Sequence, residues 1–170
     1  MDTKGLAGDV YSVNNKARSE LLDQLKKFDP DDFEKLISVL LVELGFEEVE
    51  TTDYHHDGGI DVRGTLVVAD SIRIKMAVQV KRWSQNVQSQ TVQQVRGSLS
   101  SHEQGLVITT SDFSSGARRE AEREDAVPIG LINGKQLISL MFQHEVGVDR
   151  VPHEVFKVNL NKFQIDSDDD

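Results

Sequence analysis

The stretch GIDVRGTLVVADSIRIKMAVQVKRW, residues 59–83, carries the reading of the fold. Ile60–Val68 and Ile72–Trp83 read as two β-strands joined at Ala69-Asp70-Ser71, a link short enough for a hairpin. The second run alternates without interruption. Ile72, Ile74, Met76, Val78 and Val80 fall on one face, and Arg73, Lys75, Ala77, Gln79 and Lys81 on the other. That alternation predicts a strand with an apolar inner face and a wet outer one. Asp61 follows Gly58-Gly59-Ile60 directly, and Gln79 and Lys81 stand two apart near the far end of the second strand. Paired through the hairpin, the two strands would bring Asp61, Gln79 and Lys81 to one end of a sheet.

Two helices are expected ahead of this hairpin. Ala17–Phe28 carries Leu21, Leu22, Leu25 and Phe28 at helical spacing, behind a polar arm over residues 1–16. The next helix has a clear start, with Asp29 at the N-cap, Pro30 at the first helical position and Asp31 and Asp32 in the first turn. Its stripe of Phe33, Leu36, Ile37, Leu40, Leu41 and Leu44 ends at Gly45. Phe46–Thr52 reads as a strand. Beyond the hairpin the pattern predicts a helix over Ser89–Ser101, a buried strand over Gly105–Thr109 and a polar helix over Ser115–Asp125. A strand over Val127–Ile132, a turn at Asn133-Gly134 and a helix over Lys135–His144 follow. His153–Leu160 is expected to add an edge strand. The order α-α-β-β-β-α-β-α-β-α implies an α/β fold in which a mixed sheet is flanked by helices.

The chain has 170 residues, enough for one domain with a sizeable core, and no cysteine, which excludes disulfides, thiolate zinc sites and cysteine nucleophiles together. It lacks an apolar run long enough to span a membrane and the layout of a signal peptide, so a cytoplasmic location is expected. The net charge of −10 argues at first against a polyanionic partner. Its distribution changes that argument. Residues 1–60 carry a net −8 and residues 136–170 a net −4, whereas residues 61–135 carry +2. The mildly basic middle is where an anionic ligand would bind. The acidic envelope weakens non-specific DNA attachment and suits work at high salt, which raises a halophilic source as a hypothesis.

Serine hydrolase, kinase and glycine-rich phosphate-binding motifs are absent. His55, His56, His102, His144 and His153 show no zinc-ligand spacing and read as solvated side chains. The chemistry therefore falls to Asp61, Gln79 and Lys81. A carboxylate, an amide oxygen and an ammonium converging at a sheet end suit a hydrolytic Mg²⁺ site, because that hard cation takes oxygen ligands and keeps several waters. The lysine can orient or deprotonate a water, or neutralise charge growing on a phosphate. Spacing alone leaves a bland alternative, in which a wet strand face and a turn acid stand near one another.

The resemblance enters on these residues. HDGGID at 56–61, followed after 17 residues by QVKRW at 79–83, resembles the catalytic core of the Mrr family of restriction endonucleases, within the PD-(D/E)xK nuclease superfamily. DPDDFEKLISVLLVELGF is similar to that family's leading helix and GLVITTSDFSSGARREA to its later strand and helix. IGLINGKQLISLMFQHEVGV and EVFKVNLNKFQID are similar to its C-terminal part. The resemblance covers about residues 20–165. It implies a restriction-endonuclease-like core, with a catalytic domain over residues 17–150 and an edge segment and acidic tail over residues 151–170.

By this resemblance Asp61 matches the metal-binding aspartate, Lys81 the catalytic lysine, and Gln79 the signature position that more often holds Glu or Asp. Val80 would offer its backbone carbonyl to the metal, and Glu34 matches a helix glutamate brought towards the site. An amide in place of a carboxylate removes one negative charge, so Mg²⁺ binds less tightly at equal geometry. Ser114 and Ser115, with Arg118 and Arg119 one turn on, are expected to hold a DNA phosphate, and Arg82 beside Trp83 to touch DNA. The implied activity is Mg²⁺-dependent endonucleolytic cleavage of DNA, of a restriction type that includes modified-DNA-directed cleavage. The alternatives are a Holliday-junction or other structure-specific nuclease, and a silent DNA-binding or assembly module with the same fold. Relatives commonly carry an N-terminal winged-helix domain for which residues 1–28 have no room, so a separate or missing recognition domain is expected. Cutting both strands needs two active sites, which a homodimer would supply.

Overall fold

A computed structural model of the chain describes residues 3–52 and 59–152. The elements are α1 (Thr3–Leu25), α2 (Pro30–Glu43), β1 (Phe46–Thr51), β2 (Val62–Val68), β3 (Ile72–Lys81), α3 (Ser89–Gly97), β4 (Glu103–Thr109), α4 (Ser115–Ala121), β5 (Ile129–Ile132) and α5 (Gly134–Gln143). The five strands form one sheet in the order β1-β2-β3-β4-β5. β1, β2 and β3 run antiparallel as a meander, and β4 and β5 then join parallel to β3. The sheet is mixed, as the change from consecutive strands to alternating strands and helices implies.

Helices cover both faces. On one, Leu25 of α1, Phe33, Ile37, Leu40 and Leu41 of α2, and Leu137, Ile138 and Met141 of α5 pack on Val62, Val78, Val80, Leu106 and Ile108. On the other, Val92 and Val95 of α3 and Ala117 and Ala121 of α4 pack on Ala77, Val107 and Ile129, together with Ile60, Val87 and Phe113. This corrects the wet outer face expected of β3. Arg73 is exposed, but Ala77 and Gln79 are buried beneath the second helical layer. Alternation records which side chains share a face; it carries no information about a helix that arrives later in the chain to cover it.

The hairpin turns at Ala69 and Asp70, both left-handed at φ 51° and 55°. That geometry follows the right-handed twist of the strands, although Asn-Gly would adopt it with less strain. α2 starts at Pro30 and ends before Gly45, whose φ of +92° reverses the chain into β1. The Asp29 side chain makes no capping hydrogen bond, so Pro30 at the first position and the acids Asp31 and Asp32 favour this helix start. β1 is a bulged edge: its register shifts between Glu47 and Glu50, and Glu48 has φ 53°. A bulge and a row of acids blunt an edge against further pairing.

The largest departure from expectation is α1. The polar arm anticipated over residues 1–16 is helical from Thr3, continuous with the packed turns at Leu21, Leu22 and Leu25. Residues 5–16 are exposed: Leu6, Val10 and Val13 keep helical spacing but stay out of the core clusters. Elsewhere the ends are trimmed: α3 stops at Gly97 and α4 at Ala121, and β2 starts at Val62. Among the described residues no helix is long and apolar enough to cross a membrane. The edge strand expected at 153–160, the acidic tail, and His55 and His56 lie outside the described residues.

Candidate active site

β3 runs between β2 and β4, so its far end, at Gln79–Lys81, is flanked on both sides. On the β2 side stands Asp61. Its N–H donates to the Val78 carbonyl at 2.9 Å, and its carbonyl accepts from Thr52 N–H at 2.9 Å, which continues the ladder one step beyond β2. Its carboxylate turns back across β3, where Val80 N–H donates to Oδ2 at 2.6 Å. Burial pushes the Asp61 carboxyl above its ordinary value, opposed by that hydrogen bond and by the charge of Lys81. The N–H of Val80 is thus what the site visibly uses of a residue expected to offer its carbonyl.

Gln79 is 2 % exposed, among the most buried polar side chains in the described chain. Its Nε2 donates to the carbonyl of Gly59, which settles the orientation of the amide. The opposite atom, Oε1, is buried with no hydrogen-bond partner. A buried acceptor left unpaired costs about 1–3 kcal/mol, so it calls for a ligand. Lys81, half-buried, places Nζ 5.3 Å from the centre of the Trp83 ring, where the π face attracts the ammonium. α2 contributes Glu34. Burial is the main cause that raises its carboxyl, followed by the negative charges of Asp61 and Asp31, while Lys81 lowers it. Asp61 and Lys81 therefore both act on Glu34, and the four residues share one end of the sheet.

This donor set fits a hard divalent cation. Asp61 and Glu34 supply carboxylates and Gln79 supplies an amide oxygen with nothing else to bind, which is the oxygen-rich chemistry Mg²⁺ takes. Among the described residues no group of three His, Cys, Asp or Glu could hold a metal.

On the β4 side, three consecutive hydroxyls hold the chain as it leaves β3. Thr109 Oγ1 donates to the Lys81 carbonyl at 2.8 Å, Thr110 Oγ1 to that of Trp83 at 2.9 Å, and Ser111 Oγ to that of Gln85 at 2.7 Å. Sequence reasoning missed them. The available signal was the run Thr-Thr-Ser closing an apolar strand, where buried hydroxyls need acceptors.

The residues anticipated to contact phosphate stand on and before α4 and just after β3. Ser114 caps α4, its Oγ accepting from Ala117 N–H at 3.1 Å, and Ser115 is exposed. Arg118 is engaged by Asp112 and lies over Phe113, whereas Arg119 is exposed with no ion pair among the described residues. Arg82 turns to the end of α1, where Nη1 donates to the Lys26 carbonyl at 2.7 Å. A hollow of about 380 Å³ beside α5, lined by Ile132, Lys135 and Leu140 among others, includes none of the candidate residues.

Residues 25–141 match a family model described as restriction endonuclease, of the Mrr catalytic type. The chain is 31 % identical over 162 residues to the type IV methyl-directed restriction enzyme EcoKMrr of Escherichia coli strain K12. That alignment covers 91 % of this chain and 52 % of the relative, so the chain spans about half the length of the curated protein it matches. Two solved structures share the fold. The modification-dependent restriction endonuclease AspBHI superposes with a TM-score of 0.63 at 24 % identity, over 78 % of this chain and 36 % of that one. MspJI restriction endonuclease, solved with a 27-mer oligonucleotide, superposes with a TM-score of 0.57 at 24 % identity, over 74 % of this chain and 31 % of that one.

Proposed function

The chain belongs to the Mrr-type restriction endonuclease family, and from that premise we propose that it is a Mg²⁺-dependent domain that cleaves the phosphodiester bonds of cytoplasmic DNA. The observation that carries the proposal is the buried Oε1 of Gln79, without a partner among the described residues, one residue from Val80, whose N–H holds the Asp61 carboxylate, and two from Lys81.

In this reading Asp61, Gln79 Oε1, the Val80 carbonyl and Glu34 hold Mg²⁺. When bound, the cation supplies Lewis-acid polarisation of the phosphate and a more acidic water. Val80 N–H fixes the Asp61 carboxylate on the strand, and the Gly59 carbonyl fixes the Gln79 amide. Lys81 brings positive charge to the phosphate oxygens or orients the attacking water, with Trp83 holding the ammonium. Arg119, exposed and unpaired among the described residues, contacts the DNA backbone away from the reacting bond. Modified DNA is the favoured substrate, because two of the relatives are named as methyl-directed or modification-dependent. A homodimer supplies the second site for a two-strand cut, and recognition rests with a separate domain or partner.

The test incubates unmodified and methylated plasmid with the protein in Mg²⁺ or EDTA, beside Asp61→Ala and Lys81→Ala. The expected result is nicking in Mg²⁺ alone, abolished in Asp61→Ala and reduced about 100-fold or more in Lys81→Ala. Cleavage that survives in EDTA or in Asp61→Ala would overturn the proposal. Absence of cleavage on every substrate would favour a DNA-binding module with a nuclease fold.

A further inference from the structure

Gly59 stands in the turn before β2 with φ +88°, and its carbonyl is the sole partner that the described structure gives to the Gln79 amide nitrogen. A Cβ added at Gly59 would lie 2.6 Å from Gln79 Nε2, too close for any real contact. Both the backbone conformation and the space at this position therefore call for glycine. The clash is with the far end of the Gln79 side chain, so a methyl at 59 would push the amide aside before it disturbed the fold.

We propose that Gly59 is a positioning residue of the active site, whose carbonyl and missing side chain together clamp the Gln79 amide so that Oε1 faces the cation. The inference rests on the reading of Gln79 as a metal ligand. It also gives a reason for an amide at a position where the superfamily signature more often has a carboxylate. An amide presents a donor to Gly59 and an acceptor to the cation. An ionised glutamate would set two acceptors against each other, its own oxygen and the Gly59 carbonyl. The lower negative charge of the site thus follows from the turn that precedes β2.

Gly45 provides the control. It shares the left-handed conformation, at φ +92°, but a Cβ there would meet only the Val67 carbonyl, at an ordinary 3.5 Å. Gly59→Ala and Gly45→Ala therefore carry a similar backbone penalty, and only the first displaces Gln79. The experiment titrates the metal-free proteins with MgCl₂ by calorimetry, with circular dichroism to follow the fold. Wild type and Gly45→Ala are expected to bind Mg²⁺ equally, Gly59→Ala at least about ten-fold more weakly, and Asp61→Ala not at all. Wild-type affinity in Gly59→Ala with binding lost in Asp61→Ala would overturn the clamp and leave the metal site standing. Equal loss in Gly45→Ala would also overturn the clamp, as a general effect of destabilisation. Binding retained in Asp61→Ala would overturn the underlying metal site and the clamp with it. A second measurement needs no glycine variant: in the metal-free wild type, the side-chain NH₂ of Gln79, assigned by its absence in Gln79→Met, is expected to be protected from solvent exchange. Free exchange of that group would overturn the clamp.

Discussion

Asp61 illustrates how a buried carboxylate is held at the expense of stability. Burial raises its folded-state pKa above the ordinary value of 3.8. A carboxyl with a raised folded value binds its proton more tightly in the native state. Its contribution to stability is therefore fully present below the unfolded value and is lost as the pH rises through the folded one. At neutral pH, without metal, ionised Asp61 is a net cost. Asp61→Asn keeps an acceptor for Val80 N–H and removes the charge, so it should raise the melting temperature of the metal-free protein at pH 7. The advantage should shrink as the pH falls into the carboxylate range, as thermal melts in EDTA at several pH values would reveal. At this scale spacing and residue type singled out Asp61, Gln79 and Lys81 but left a wet strand face as an alternative, and the resemblance supplied the roles proposed for them. The Gly59 clamp was not, because a carbonyl has no sequence signature and paired glycines announce only a turn.

The elements explain why Lys81 stays where β3 ends. A parallel pair of strands offers no hairpin to close its carboxyl end, so side chains join the Thr110 N–H, which donates to the Lys81 carbonyl at 3.2 Å, in holding the chain as it leaves β3. Thr109 does this from β4: it is fully buried, donates to the Lys81 carbonyl and accepts from Ser111 N–H at 3.2 Å. Thr109→Val preserves shape and takes the acceptor from Ser111 N–H, while the Lys81 carbonyl keeps the Thr110 N–H at 3.2 Å, and should cost about 1–3 kcal/mol. Thr109→Ser keeps the hydroxyl and should cost less, about 1 kcal/mol for the buried methyl group. Urea melts of the two variants give the comparison, and a larger loss in Ser than in Val would contradict this role. Periodicity revealed α2 and β3 well, because each has a long one-sided apolar pattern. In the first half of α1 the period of Leu6, Val10 and Val13 is present but marks an exposed face, and the polar residues around it read as an arm.

Across the whole molecule, charge and topology act at different ranges. The net charge of −10 is arranged so that the chain from Asp61 to Lys135 carries a small positive excess, and the site lies at the start of that segment. Arg119 is exposed within it and unpaired among the described residues, whereas Arg118 is engaged by Asp112. Arg119→Ala should weaken duplex binding and lower the slope of log affinity against log salt by about 1, with Arg118→Ala changing it less. Fluorescence anisotropy over a salt series reads both. The sequence by itself determined the hairpin, the principal helix and the mixed sheet, because each is written in local periodicity, and it nominated Asp61, Gln79 and Lys81 as candidates. Only the tertiary structure decided that Gln79 is buried with one amide atom held and the other free. The same holds for the release of Arg119 and the tethering of Arg82. These facts depend on α3 and α4 covering a face of β3 and on the end of α1 reaching Arg82, 56 residues from Lys26 along the chain. Contacts between segments so far apart leave no periodic trace in either one.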